Sequence, residues 1–172
     1  SSDRGAMYML ATDTVLVESP ALEGQTDMAS KGGETVLHTL NGTLKTDGVL
    51  DANSEAVNLG GYDVDIKAAV RSPDGSLTLS NRDLNGTMLF GSNAGIQGAY
   101  QVDGSELALL QPGFSEVTIG SEFSSNQIVF GDAADQGTSD IVFQDNVVVN
   151  NPVVGGEIHL NQSVTVAGSL RI

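Results

Sequence analysis

The 172-residue chain has no cysteine and no tryptophan, and only seven of its residues are Lys or Arg. Without cysteine there is no disulfide framework, no thiolate zinc site and no thiol nucleophile. Seven basic residues stand against 22 acidic ones, a net charge of −15 that repels phosphate backbones and acidic lipid surfaces, so nucleic acid is not an expected partner. No apolar run approaches the roughly 18 residues of a membrane-spanning helix, and direct membrane insertion is not expected either. The opening Ser-Ser-Asp-Arg lacks the charged-then-apolar order of a secretion signal, and the chain reads as a segment of something longer.

What is present is an all-β pattern. In the C-terminal third, apolar residues alternate in short triplets separated by Asn, Gly, Asp and Ser: Ile141/Phe143, Val147/Val149, Ile158/Leu160, Val164/Val166 and Leu170/Ile172. Their starting points differ by 6, 11, 6 and 6, and Val153 divides the 11 into 6 and 5. Period-two alternation makes each triplet a strand with two residues facing one side. The connections are too short for crossover helices, and Asn150-Asn151-Pro152, Gly155-Gly156 and Ala167-Gly168 suit corners better than the Asn-Gly reversals of hairpins. The spacing predicts a parallel β-helix, a solenoid of short strands, with a β-sandwich or barrel as the alternative. Its expected core is Ile141, Phe143, Val147, Val149, Ile158, Leu160, Val164 and Val166.

Earlier strands are expected at residues 7–10, 14–17, 35–40, 43–45, 57–59, 64–66, 76–79, 87–90, 106–110, 116–119 and 127–130. Residues 19–33, with Pro20 and three glycines, read as a surface loop. One module over 1–172 is expected, with an atypical N-terminal part at 1–34.

Two phrases carry a likeness to known proteins. Leu-Ala-Leu-Leu-Gln-Pro-Gly-Phe-Ser-Glu-Val-Thr-Ile-Gly-Ser at 107–121 and Ile-Val-Phe-Gln-Asp-Asn-Val-Val-Val-Asn-Asn-Pro-Val at 141–153 resemble repeats of filamentous-haemagglutinin-like giant bacterial surface adhesins. The resemblance spans residues 107–172. It implies a right-handed parallel β-helix displayed on a bacterial cell surface, and before residue 100 the repeat is hard to see.

Groups able to do chemistry are sparse. His38 and His159 each occupy an outward position in an alternating strand, and no nucleophile-elbow, zinc-protease or phosphate-loop motif occurs. Asp63 and Asp65 flank Val64, which sets both carboxylates on one strand face about 7 Å apart. A solvated strand face shows the same spacing as an acid pair. If a metal binds, the oxygen-rich donor set points to calcium at Asp63 and Asp65, beside Gly60-Gly61, although Lys67 stands where the calcium repeat needs an apolar residue. Asp132, Asp135, Asp140 and Asp145 form a second acidic region, and three Asn-x-Ser/Thr sequences begin at Asn41, Asn85 and Asn161. No catalytic residue and no resident cofactor are assigned. The chain is expected to be a non-enzymatic, rigid, acidic stalk or adhesin module outside the cell, meeting host or neighbouring-cell surface molecules or glycans and adjacent repeats of its own chain. A polysaccharide lyase or glycosidase on the same scaffold is the rival reading.

Overall fold

The computed structural model describes residues 7–11, 15–17, 28–29, 34–40, 42–91, 99–131 and 141–172; the acidic positions Asp132, Asp135 and Asp140, and nearly all of the 19–33 loop, lie outside them. Strands follow one another in groups of three. β1 (Met7–Ala11), β2 (Val15–Val17) and β3 (Met28–Ala29) precede β4 (Thr35–Thr39), β5 (Thr43–Thr46) and β6 (Leu50–Asp51). Next come β7 (Val57–Gly61), β8 (Asp63–Ile66) and β9 (Val70–Arg71). β10 (Ser76–Asn81) and β11 (Thr87–Phe90) lead into β12 (Tyr100–Val102) and a single helical turn, α1 (Gly104–Leu107). The rest is β13 (Glu116–Gly120), β14 (Gln127–Phe130), β15 (Ile141–Phe143), β16 (Val147–Asn150), β17 (Glu157–Leu160), β18 (Val164–Val166) and β19 (Leu170–Arg171).

The first strand of each group returns to one long sheet, ordered β1-β4-β7-β10-β13-β16-β19. The second and third strands build shorter sheets, β2-β5-β8 and β3-β6-β9, and from β11 onward β12-β11-β14-β17 and β15-β18. Every described pairing is parallel. The fold is therefore all-β, made of parallel sheets of short strands, and the turn after β16 is a corner between sheets. Parallel pairing in tight connections requires this change of sheet, because neighbouring parallel strands cannot be joined by a two-residue turn.

Register aligns like with like. In the long sheet Val57, Leu77, Val117 and Val147 form one inward line, and Leu37, Leu59, Leu79, Ile119 and Val149 form another. All nine are buried. Met88 lies over Ile128 and Phe90 over Phe130, and the two phenyl rings stack with centroids 5.4 Å apart while Phe143 meets Phe130 edge-on at 6.4 Å. These lines merge into one hydrophobic core, where each fully buried aliphatic or aromatic side chain contributes roughly 1.5–3 kcal/mol.

Of the expected C-terminal core, Ile141, Phe143, Val147 and Val149 are buried, whereas Ile158, Val164 and Val166 are only half-buried and Leu160 is 56% exposed. Expecting burial at Leu160 is corrected for a physical reason. Its register position is inward, over Phe130, but β17 is the outermost strand of its sheet and no described strand lies on its other side. The strand expected at 106–110 is corrected as well, because Asp103-Gly-Ser-Glu106 forms a capping box and starts α1 instead.

Corners are set partly by glycine. Gly91 and Gly131 follow the paired residues Phe90 and Phe130 with φ of +76° and +81°, and a Cβ on Gly131 would lie 2.4 Å from the Gln162 side chain. Gly131→Ala is expected to lose about 1–2 kcal/mol, since L-residues pay that much in left-handed backbone. Gly104→Ala, where a Cβ meets nothing within 4 Å, should be neutral or slightly stabilising. Urea denaturation of both variants checks the difference, and equal midpoints would show that the corner conformation is not held.

Candidate functional site

β5 and β8 pair with Thr43 beside Asp63 and Lys45 beside Asp65. Strand alternation turns Leu44, Thr46, Val64 and Ile66 inward, where all four are buried, and leaves Thr43, Lys45, Asp63 and Asp65 on the outer side. β8 is the last strand of its sheet, so its free edge needs other partners. The segment from β12 through α1 supplies them. The Ile66 N–H donates to Glu106 Oε1 at 2.8 Å, and the Gln101 N–H donates to Asp63 Oδ1 at 3.1 Å.

Glu106 is held from both sides. Its Oε2 accepts the Asp103 N–H at 2.7 Å, while Asp103 Oδ1 accepts the N–H groups of Ser105 and Glu106 at 2.8 and 2.9 Å. A glutamate at the third helical position of a capping box thus also takes the place of the missing strand's carbonyl. Tyr100, fully buried, anchors the same segment by donating its hydroxyl to the Leu59 carbonyl at 3.1 Å. Together Thr43, Lys45, Asp63, Asp65, Gln101 and Glu106 line an open polar hollow of about 300 Å³.

Burial pushes the Glu106 carboxyl up to about 7, against the pull of its two backbone N–H donors and with the Asp103 and Asp65 charges adding to the rise. Asp63 is also raised by burial; the Gln101 and Val64 amides oppose the rise and the Asp65 charge adds to it. Asp65 itself is engaged by Lys67, whose Nζ lies 3.0 Å from Oδ2, and that contact holds the ammonium above its usual range. Burial sets the Tyr100 hydroxyl well above the ordinary phenol range.

The sequence-based candidates meet only in part. Asp63 and Asp65 share the hollow, and no group of three or more His, Asp or Glu placed to hold a metal occurs among the described residues. His38 sits on the outer face of the long sheet with Nε2 3.0 Å from Asn58 Oδ1, and His159 lies on β17 against Glu157 at 2.9 Å. Neither histidine lines the hollow. Asp145 accepts the Gly113 N–H at 2.9 Å and fixes a corner. A second cavity of about 470 Å³ runs along α1 and β15, and its described lining carries no titratable side chain.

No family model, curated protein or solved structure matches this chain. The geometry of the hollow and the stacking of the strands carry the functional argument.

Glu106 escaped the sequence reading because it reaches β8 from 40 residues further along the chain. The Asp-x-x-Glu spacing at 103–106 was the signal that could have found it.

Proposed function

We propose that the chain is a structural or adhesive segment of a large bacterial cell-surface protein, its strands wound as a parallel β-helix into a rigid acidic stalk. The observation that carries this reading is the unbroken inward register of the long sheet, where Leu37, Leu59, Leu79, Ile119 and Val149 follow one another strand by strand. Such stacking suits a load-bearing rod, because each added group of strands buries its apolar side chains against the last. The resemblance at residues 107–172 supports the surface location, and the net charge of −15 keeps a displayed rod soluble. Host or neighbouring-cell glycans are the proposed contacts of its outer faces, and calcium at Asp63 and Asp65 is the proposed ion, if one binds.

One observation favours a carbohydrate-active enzyme, namely the hollow with Asp63, Asp65 and Glu106. Against catalysis, both Glu106 oxygens are committed to backbone amides, which is the work of a strand-edge cap. No turnover of pectate or alginate is expected, with or without calcium: Lys45 is the cationic side chain that lines the hollow, but the buried acid beside it, Glu106, has both oxygens taken by backbone amides and is not free to act on a substrate. Reducing-end and unsaturated-product assays on homogeneous protein check this. Cleavage abolished by Asp63→Asn or Asp65→Asn at an unchanged melting temperature would replace the stalk with the enzyme.

A further inference from the structure

We propose that an extended, uncharged glycan chain binds along the flank of the stack, on the outer face of the long sheet beside the corner that follows it. The inference rests on the reading of the chain as a displayed adhesive rod, and it names the face and the class of sugar.

That corner carries an apolar ridge. Among the described residues, nine large apolar side chains stand exposed, and five of them, Tyr62, Leu84, Phe123, Val153 and Val154, fall in the turns after β7, β10, β13 and β16. These are neighbouring strands of one sheet, so their turns share a corner and the five form a line rather than a scatter. Phe123 is 69% exposed and Val154 98%. Side chains tie the turns rung to rung. The Asn126 side-chain amide donates to the Asp83 and Gly86 carbonyls at 2.7 and 3.0 Å, and the Ser125 hydroxyl donates to Asn85 Oδ1 at 2.7 Å. The Asn151 side-chain amide donates to the Asn126 carbonyl at 2.8 Å. A ridge held in this way has little freedom to lose on binding.

The adjoining face is flat and nearly free of charge. One outward row runs Val36, Asn58, Thr78, Thr118 and Val148, and a second, nearer the corner, holds His38, Gly60 and Ser80. A Cβ on Gly60 would come within 2.6 Å of the His38 ring, so the imidazole lies across that glycine and the row forms a shelf. In a chain of net charge −15, the strands of the long sheet contain one acidic and one basic residue, Glu116 and Arg171, and these pair at 3.3 Å.

Chemistry selects the occupant. Hydroxyls, amides and an imidazole beside exposed apolar side chains suit a sugar, whose rim hydrogen-bonds and whose C–H faces rest on rings and aliphatic groups. Neighbouring rungs are about 4.8 Å apart, close to the length of one pyranose in an extended chain, so successive sugars meet successive turns. The charged groups of these turns are Arg82, Asp83 and Glu122. Their two carboxylates accept hydroxyls and repel a polyanion, which favours an uncharged glycan over an acidic one. A second copy of the chain fits less well. The ridge spans three rung steps, about 14 Å, too little for the roughly 800 Å² that each partner gives to a stable interface.

Isothermal titration calorimetry of the full chain with cellohexaose and chitohexaose, two uncharged extended sugars, tests the proposal. The expected result is saturable binding that tightens from disaccharide to hexasaccharide as more turns are covered, and that salt leaves unchanged. Phe123→Ser should weaken it about tenfold, and adding Leu84→Ser should abolish it. Val142→Ser, at a position 42% exposed on β15 and outside the long sheet, should bind as the parent does. Failure to bind either sugar, or binding that survives the double variant, overturns this site and leaves the rod itself standing, since the rod rests on the buried register of the long sheet. Tighter, salt-sensitive binding of alginate overturns the choice of an uncharged ligand. Cleavage of the hexasaccharides overturns this site and the adhesive reading together, and a dimer dispersed by Phe123→Ser gives the ridge to a second copy instead.

Discussion

Leu79→Asp is expected to abolish cooperative thermal unfolding. Leu79 is fully buried in the middle of the long sheet, with Leu59 on one side and Ile119 on the other. A carboxylate placed there loses its water and finds no partner, and even the protonated form costs several kcal/mol. That approaches the whole stability of an ordinary domain, roughly 5–15 kcal/mol. The neighbouring Thr78 faces the other side of the same strand and is half-buried, so Thr78→Asp should fold and melt close to the parent. Far-UV circular dichroism on heating separates the two. Similar melts for both variants would mean that the period-two register of β10 is wrong, since a one-residue slip exchanges the faces.

The second large effect is a dependence of stability on pH. Glu106 is 9% exposed and its carboxyl is raised from 4.5 to about 7, so the folded chain holds a proton that the unfolded chain releases. The stabilisation from this group is complete below about pH 4.5 and is lost as pH rises through about 7. Its total is on the order of 3 kcal/mol, since each tenfold gain in proton affinity on folding is worth about 1.4 kcal/mol. Asp63 is raised too and acts in the same direction. Asp103 is lowered; it has the opposite sign, its contribution falling only as pH drops through its lowered value. Between pH 5 and 8 the chain should therefore lose stability as pH increases. Glu106→Gln keeps an acceptor for the Ile66 N–H but turns an amide donor toward the Asp103 N–H. This variant should be weaker than the parent at pH 5.5 and nearly flat up to pH 8.5. Because the chain's general acidity affects both proteins, the difference between their urea-unfolding free energies isolates Glu106. Parallel curves for the two would sink the assignment.

Residues with a local pattern were legible in the sequence. Alternating Val, Ile, Leu and Phe located β4, β7, β10, β11, β13 and β14 to within a residue or two, and Val64 between Asp63 and Asp65 fixed which side chains face out. β3, β6 and β9 were missed because two residues are too few to show alternation, β3 (Met28–Ala29) lying within the 19–33 stretch read as a loop, and β12 (Tyr100–Val102) was not expected either. α1 was misread because Leu107 and Leu109 alternate about Ala108 as strand residues do, whereas the buried pair is Leu107 and Leu110, the three-residue spacing of a helical turn. Leu160 was misjudged because register decides where a side chain points, while burial depends on whether another strand lies beyond it. The hollow was half legible. Its two aspartates are neighbours in sequence, but Gln101 and Glu106 arrive from the segment that seals the β8 edge, and nothing in the composition of that segment announces its destination.

Parallel stacking also sets how the chain must fold. Residues that pair lie far apart: Leu59 and Leu79 are 20 positions apart, and Leu79 and Ile119 are 40. Each new strand closes a loop before its contacts reward the lost entropy, so folding should be slow for a chain of this size. Growth by zipping would pass quickly through the 20-residue steps and stall at the 40-residue one between β10 and β13. There the detour through β12 and α1 must dock before the long sheet can resume. The rate-limiting barrier then falls at that detour, and changes at Tyr100 or Glu106 should slow refolding more than changes of equal cost near β16.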